Sequence, residues 1–328
     1  MAIPRVEIVD RETPGFYHCT NRCVRRAFLC GEDELTGQSF DHRKAWLEER
    51  MLALCDIFSI EIYAYAVMSN HYHIVLYLDP KAPERWTDEQ VAERWLQVFS
   101  SRLDKPENAH LRAMKKRAIM DNPDLLQEYR KRLGDLSWFM RRLNEPLAKM
   151  SNLEDYCTGR FWEGRYTSQA LLDEAAVLSC LTYVDLNPVR AKITEKLEES
   201  NHTSIKKRLD NLQTETNHHS LDQAIEAMAG CVRERKLSIT LREYTELTEW
   251  AGRSIVHPDK ASIPVHLAPI LDRLNLQSNH WLKLVENYGR HYNRVAGPIE
   301  LIRQKAKQLN KRCLQGISSA KLFYLPTN

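Results

Sequence analysis

Two β-prone, largely apolar runs, IEIYAYAVM (Ile60 to Met68) and HYHIVLYL (His71 to Leu78), are separated only by Ser69 and Asn70. A two-residue polar link between such runs reads as a β-hairpin. Within the second run stand two histidines where a buried strand would ordinarily carry Ile, Val or Leu. Successive strand residues point to opposite faces, so His71 and His73 share one face. Their ring nitrogens can grip one ion or one phosphate, since neutral imidazole is a common ligand for divalent ions. A pair of partly buried histidines satisfied within the protein is the alternative.

The flanking sequence sets this hairpin in a larger order. GFYHCTNRCV (Gly15 to Val24) is aromatic and β-branched enough for a first strand. DHRKAWLEERMLALCDIF (Asp41 to Phe58) has a helix-capping Asp and apolar residues at helical spacing, Trp46, Leu47, Met51, Leu54 and Phe58. From about Pro83 to Asp155 the chain turns charged and helical. Strand character returns in GRFWEGRYTSQALL (Gly159 to Leu172), and DEAAVLSCLTYVDLNPVRAKI opens on a capping Asp. That helix should end near Leu186 or Asn187, because the residue before Pro188 is pushed out of the helical region. The pattern β-α-β-β, helical insertion over 83–155, β-α predicts an α+β fold, an antiparallel sheet with helices on one face.

A chain of 328 residues allows two domains, or one with large insertions. The division expected here is 1–195 and a mostly α-helical region over 196–328. In the second part NHTSIKKRLDNLQTETNHHS reads as a connector. Helices are expected over Asp222–Val232, Thr240–Ala251, Val265–Leu274, Ser278–His291 and Pro298–Leu314.

A net charge of +3 is too small to demand a polyanionic partner, but charge is unevenly placed. From His291 to Lys321 stand Arg294, Arg303, Lys305, Lys307, Lys311, Arg312 and Lys321 against the single acid Glu300. RAMKKR (Arg112 to Arg117) is a second basic stretch. Either can follow a phosphate backbone, and either can be a solvated helix face. Eight cysteines follow no zinc or paired-bridge spacing, so reduced thiols are expected. MAIPRVEIVDRETPG lacks the apolar core of a secretion signal, and no apolar run approaches the ~18 residues of a membrane helix. A cytoplasmic location with no membrane partner is expected.

Other residues carry candidate chemistry. Tyr183 and Asn187, four apart on a helix, lie one above the other, so a phenol and an amide oxygen share a face as nucleophile and ligand. The alternative puts Tyr183 in the core and makes Asn187 a helix end. Arg160 and Arg165 can meet phosphate while Trp162 and Tyr166 stack on bases, unless those rings are core. His18, Arg22, Arg25 and Arg26, along the first strand and its exit, are candidate DNA contacts or ordinary surface charge.

FYHCTNRCVRRAF, YAYAVMSNHYHIVLYL and FWEGRYTSQALL…LTYVDLNPVRAKI follow one another in this order. Together they resemble the single-tyrosine HUH transposases of the insertion-sequence-200-like type, nearest the branch associated with repetitive extragenic palindromes (REP). The resemblance covers most of residues 15 to 195, apart from the insertion. It implies a ferredoxin-like HUH nuclease domain, often dimeric with composite sites, so a homodimer is one expectation. It sets His71-Tyr72-His73 at the family's metal motif, Tyr183 at the nucleophile and Asn187 at a third metal ligand. Tyr72 replaces the usual aliphatic residue, Lys192 stands where glycine is common, and the insertion and C-terminal region are extra.

The activity implied is cleavage and rejoining of single-stranded, hairpin-containing DNA through a 5′-phosphotyrosine link, with Mg²⁺ or Mn²⁺. Three donors with open positions suit those ions better than a closed zinc site. Tyr166 is the second candidate nucleophile. A domesticated, non-catalytic protein that binds DNA hairpins or regulates is the alternative function, and a metal hydrolase using the histidine pair is a third.

Overall fold

The computed structural model describes residues 8–24, 37–99, 105–214, 221–231, 235–258 and 262–325. Arg25 and Arg26 lie outside the described residues. The sheet-forming part runs β1 (Gly15–Arg22), α1 (His42–Cys55), β2 (Ile60–Val67), β3 (His71–Leu78). Four insertion helices follow: α2 (Asp88–Val98), α3 (Ala109–Met120), α4 (Pro123–Leu133) and α5 (Leu136–Glu154). Then come β4 (Thr167–Leu171), α6 (Glu174–Asp185) and the single turn α7 (Asn187–Arg190).

The sheet order is β2-β3-β1-β4-β5, with β5 (Val295–Ala296) contributed from far along the chain. β1 is antiparallel to both β3 and β4, and β2 to β3. This is the ferredoxin-like arrangement of an α+β fold. Strand character before β4 is shorter than expected, with only a bridge between Cys23 and Trp162 ahead of Thr167.

Register divides the sheet into two faces. Thr20 pairs with His73, Arg22 with His71 and His18 with Val75, so the two histidines and His18 share one face. Asn21 pairs with Tyr72 on the other face, where Asn144 of α5 receives hydrogen bonds from both, at 3.0 and 2.7 Å. Tyr65 of β2, opposite Ile74, also points that way and donates to Glu48 of α1 at 2.7 Å. Thus α1 and α5 lie on one face. Buried Arg43 of α1 clamps them together through Glu154, at 2.7 Å, and Asp155. The histidine face is covered by α6. Ala64 and Ala66 of β2 point to it, and side chains that small let a helix approach closely.

Local sequence explains how α6 begins and ends. The Asp173 carboxylate accepts the Ala176 N–H at 2.9 Å, a direct N-cap. Pro188 lacks an N–H to continue the ladder, and the chain resumes as α7 with proline in its first turn.

The remainder contains α8 (Ser204–Thr214), α9 (Leu241–Val256), α10 (Ala268–Arg273), α11 (Trp281–Glu286), α12 (Tyr288–His291), β5, α13 (Ile299–Gln308) and α14 (Ile317–Phe323). Two expectations change here. The stretch expected as a connector contains α8, and Thr203, Ser204 and Ile205 at its start are buried. Residues 222–231, expected as helix, form none. Their backbone pairs instead with the outer edge of β2: Met228 N–H donates to Ile62 at 2.7 Å, and Ile62 N–H to Ala229 at 2.9 Å. Gly230, at φ +139°, permits this approach, since a Cβ there would lie 2.9 Å from the Glu61 Cα. The expected helix over 278–291 is broken into a 3₁₀ turn, α11 and α12.

The C-terminal region therefore closes both sheet edges. Thr203 bridges Ala66 and the Val67 N–H donates to His202 at 3.0 Å on the β2 side, while β5 pairs with β4 on the other. Exposed edges invite pairing with other chains, and both are covered here. No helix among the described residues is long and apolar enough to cross a membrane.

Candidate active site

On the histidine face, four rings from three elements meet. The ring centroids of His71 and His73 are 5.0 Å apart at 80°. The Tyr183 ring of α6 stands edge-on to His73 at 5.5 Å and to His18 at 6.1 Å. His18 and His73 stack at 5.1 Å, and His18 Nε2 lies 2.9 Å from His73 Nδ1. Tyr183 is half-buried, with its ring beside the imidazoles.

Hydrogen bonding orients both strand histidines. His71 Nδ1 meets Asn70 Oδ1 at 2.5 Å, so the amide fixes this nitrogen as the donor and leaves Nε2 with its lone pair. Assigning the shared proton to His73 Nδ1, donated to His18, does the same for His73. A ligating histidine uses one nitrogen and anchors the other in this way.

Burial keeps the three rings neutral. It lowers His18 to about 4, opposed by Gln169. It lowers His71 to about 4, helped by the Arg22 charge. His73 is pushed well below the ordinary range by burial, then by His18, His71, Arg190 and Arg22. Neutral imidazoles are the form that binds metal.

The pair suits a divalent ion. A metal–nitrogen bond of about 2.1 Å puts each ring centroid ~3.2 Å from the ion, so two ligands at ~100° have centroids ~5 Å apart. The observed 5.0 Å agrees. Among the described residues no group of three or more His, Cys, Asp or Glu side chains gathers to hold an ion. The remaining donors would come from an amide or from the ligand. Asn187 is buried, and its Nδ2 donates to the Tyr183 and Val184 carbonyls at 3.0 and 3.4 Å, which leaves Oδ1 as its acceptor.

No protein-family model matches the chain, and comparison with curated proteins finds no match. Among solved structures, the chain is similar to a REP-associated tyrosine transposase bound to a REP hairpin. The TM-score is 0.38 at 12% identity, covering 64% of this chain and 86% of that one.

The other candidate residues fall into distinct places. Arg22 is exposed at the end of β1, and its charge reaches both His71 and His73. His18, expected as a surface DNA contact, is only 6% exposed and supports His73 from behind. Arg160 is exposed and donates to the Glu163 carbonyl at 3.3 Å. Arg165 is exposed beside Tyr166. Tyr166 lies against α5, across the sheet from the histidines, with its hydroxyl 3.4 Å from Ser137 Oγ. The RAMKKR run is partly neutralised by α2: Arg112 pairs with Glu93 at 2.5 Å, and Lys116 with Glu89 at 2.8 Å. Arg303, Lys307 and Arg312 of the last basic run are exposed.

Two residues of the site were missed by sequence reasoning. Arg190 places its guanidinium 4.5 Å from the Tyr183 ring centroid, and its Nε is buried without a hydrogen-bond partner. Arg190 ends the α7 turn that follows α6, beyond the proline at which the sequence stops the helix, so helical spacing alone did not bring it to Tyr183. Tyr288 of α12 lies 5.3 Å from Tyr183 and 6.4 Å from His18, and a Cβ on Gly289 would sit 3.4 Å from the Tyr183 hydroxyl. Nothing local in the sequence links these residues to Tyr183, more than a hundred positions away.

Proposed function

We infer that this chain is a metal-dependent DNA strand transferase that cleaves and rejoins single-stranded, hairpin-containing DNA through Tyr183. The observation that carries this reading is the meeting of the Tyr183 phenol with the His71–His73 pair, 5.5 Å from His73 by ring centroids. The order of the three motifs resembling HUH transposases supports it.

His71 and His73 would hold the ion through Nε2, and Asn187 through Oδ1. When bound, Mg²⁺ or Mn²⁺ supplies Lewis-acid polarisation of the scissile phosphate. Tyr183 Oη attacks phosphorus, the P–O3′ bond breaks, and the phenolic proton leaves through solvent as the 3′-oxygen gains one. One phosphodiester is exchanged for another, so the 5′-phosphotyrosine link can be reversed by a second 3′-hydroxyl without ATP. Arg190, a cation without a hydrogen-bond partner at Nε, offsets charge developing on the phosphate. His18 holds the His73 ring in its tautomer and orientation.

A second reading, hairpin binding without chemistry, has one observation in its favour: Tyr288 and Gly289 lie against Tyr183 and narrow the approach to its hydroxyl. One experiment separates the two. The protein is incubated with Mn²⁺ and a labelled hairpin oligonucleotide carrying single-stranded flanks, then run under denaturing conditions. A covalent band that disappears in Tyr183→Phe is expected. A hairpin that binds without any covalent band would leave the binding reading in place, and a band that persists in Tyr183→Phe but vanishes in Tyr166→Phe would move the nucleophile.

A further inference from the structure

A groove of about 450 Å³ opens on the opposite face of the sheet, between α5 and the loop 160–166. Its walls are Trp138, Trp162 and Tyr166, and Arg141 and Arg165 stand at its rim. We propose that this groove binds an unpaired nucleobase of the DNA strand whose phosphate is handled at Tyr183. The proposal deepens the strand-transfer reading and rests on DNA being the ligand.

The groove is built rather than incidental. Its floor is a closed set of amide hydrogen bonds. Asn21 Nδ2 donates to Asn144 Oδ1 at 3.0 Å, and Asn144 Nδ2 donates to the Met140 carbonyl at 2.7 Å. Trp162 Nε1 donates to the Asn144 carbonyl at 3.0 Å, and Trp162 stands edge-on to Tyr72 at 5.8 Å. These amides hold the walls in place, and aromatic walls recognise the π-face that every base has. The loop itself is pinned to the exit of β1, where Glu163 N–H donates to Arg22 at 2.9 Å and Val24 N–H to Phe161 at 2.9 Å.

Charge at the rim suits a nucleic-acid backbone. The one acid there, Glu145, is met by Arg141 at 3.3 Å and Lys149 at 3.0 Å. Arg165 is exposed at the mouth. An arginine can pair with phosphate or lie on a base.

Position ties the groove to the histidines. Asn21 and Arg22 are consecutive on β1 and point to opposite faces, paired with Tyr72 and His71. His71 and the groove therefore lie on opposite faces of the same end of the sheet, one residue apart along β1. Duplex DNA offers no free base face to enter the groove.

Gly164 supplies the test. Gly164 lines the groove and a Cβ there meets no atom within 4 Å, so Gly164→Leu adds bulk at the lining from a Cβ that displaces nothing. Binding is measured by fluorescence anisotropy with a hairpin oligonucleotide carrying single-stranded flanks, and with the same hairpin lacking flanks. Gly164→Leu should weaken the flanked hairpin about ten-fold, the scale of one lost base stack, and leave the blunt hairpin unchanged. In the wild-type protein one abasic position in a flank should give a similar loss, and that loss should vanish in the Gly164→Leu background. A variant of unchanged melting temperature that binds the flanked hairpin like wild type overturns the proposal. So does a wild-type protein indifferent to every abasic position, a measurement that needs no variant to fold. A Tyr183 adduct alongside unchanged Gly164→Leu binding would remove the groove alone; absence of any adduct alongside weakened binding would remove strand transfer and keep the groove.

Discussion

Nε2 of His18 lies 2.9 Å from Nδ1 of His73, so a residue of β1 engages one nitrogen of the β3 histidine and leaves Nε2 for a ligand. Removing such an anchoring partner typically costs 10–100-fold in metal affinity. His18→Ala should therefore lower Mn²⁺ affinity by about that factor in titration calorimetry, with Tyr183 untouched. An affinity equal to wild type would mean that His73 needs no support from β1.

Arg190 lies over the Tyr183 ring at 4.5 Å with its Nε unpaired. If it offsets charge on the reacting phosphate, Arg190→Gln should slow adduct formation by about 10²–10³-fold, the usual scale for losing a preorganised donor. Arg190→Lys should restore only part of the rate, because an ammonium lacks the planar fork. Equal rates in all three proteins, measured by quenched-gel kinetics, would reduce Arg190 to packing.

Acid should weaken the fold through its buried histidines. His18 is held at about 4 against an ordinary 6.5, so the unfolded chain binds the proton first as pH falls. Its contribution is present above pH 6.5 and is lost progressively down to about pH 4, on the order of 3 kcal/mol. Asp185 runs the other way: raised by burial from 3.8 to about 6, it favours the fold most at low pH and loses that advantage as pH rises through 6. Denaturation of wild type and His18→Gln between pH 7 and 4 separates the two, with the variant expected to lose less stability. Parallel curves would refute the assignment to His18.

Asp185, two residues past Tyr183, receives hydrogen bonds from Ser204 and, at 2.5 Å, from the Tyr244 hydroxyl of α9. This buried cluster joins α6 to the C-terminal region. Tyr244→Phe leaves a buried carboxylate short of one donor and should cost about 1–3 kcal/mol in urea unfolding. A cost near zero would show that Ser204 and the Ile205 N–H suffice.

The chain cut after residue 195 would lose Thr203 and Ala229 from the edge of β2, and β5 from the edge of β4. Two unpaired edges favour association between copies. Such a fragment should aggregate in light scattering at concentrations where the whole chain does not. A monodisperse fragment would make the C-terminal region dispensable for folding.

Much of the sheet-forming part was legible in local pattern. The hairpin at 60–78, the shared face of His71 and His73, and the stop before Pro188 all follow from periods and backbone restrictions acting over a few residues. The helix expected at 222–232 failed because its helix-favouring composition competes with the unpaired edge of β2, and the tertiary hydrogen bonds won. The same limit hid Tyr288 and Gly289, since no local rule couples them to Tyr183.

By itself, the sequence determined which side chains share a strand face or a helix face, because alternation and the 3.6-residue turn are properties of the backbone. Only the tertiary structure decided that His18 stands behind His73, that Arg190 covers Tyr183, and that the last third of the chain closes both edges of the sheet. Those relationships depend on strand register and helix packing between segments far apart in the chain, where burial and hydrogen-bond satisfaction over the whole molecule outweigh any local preference.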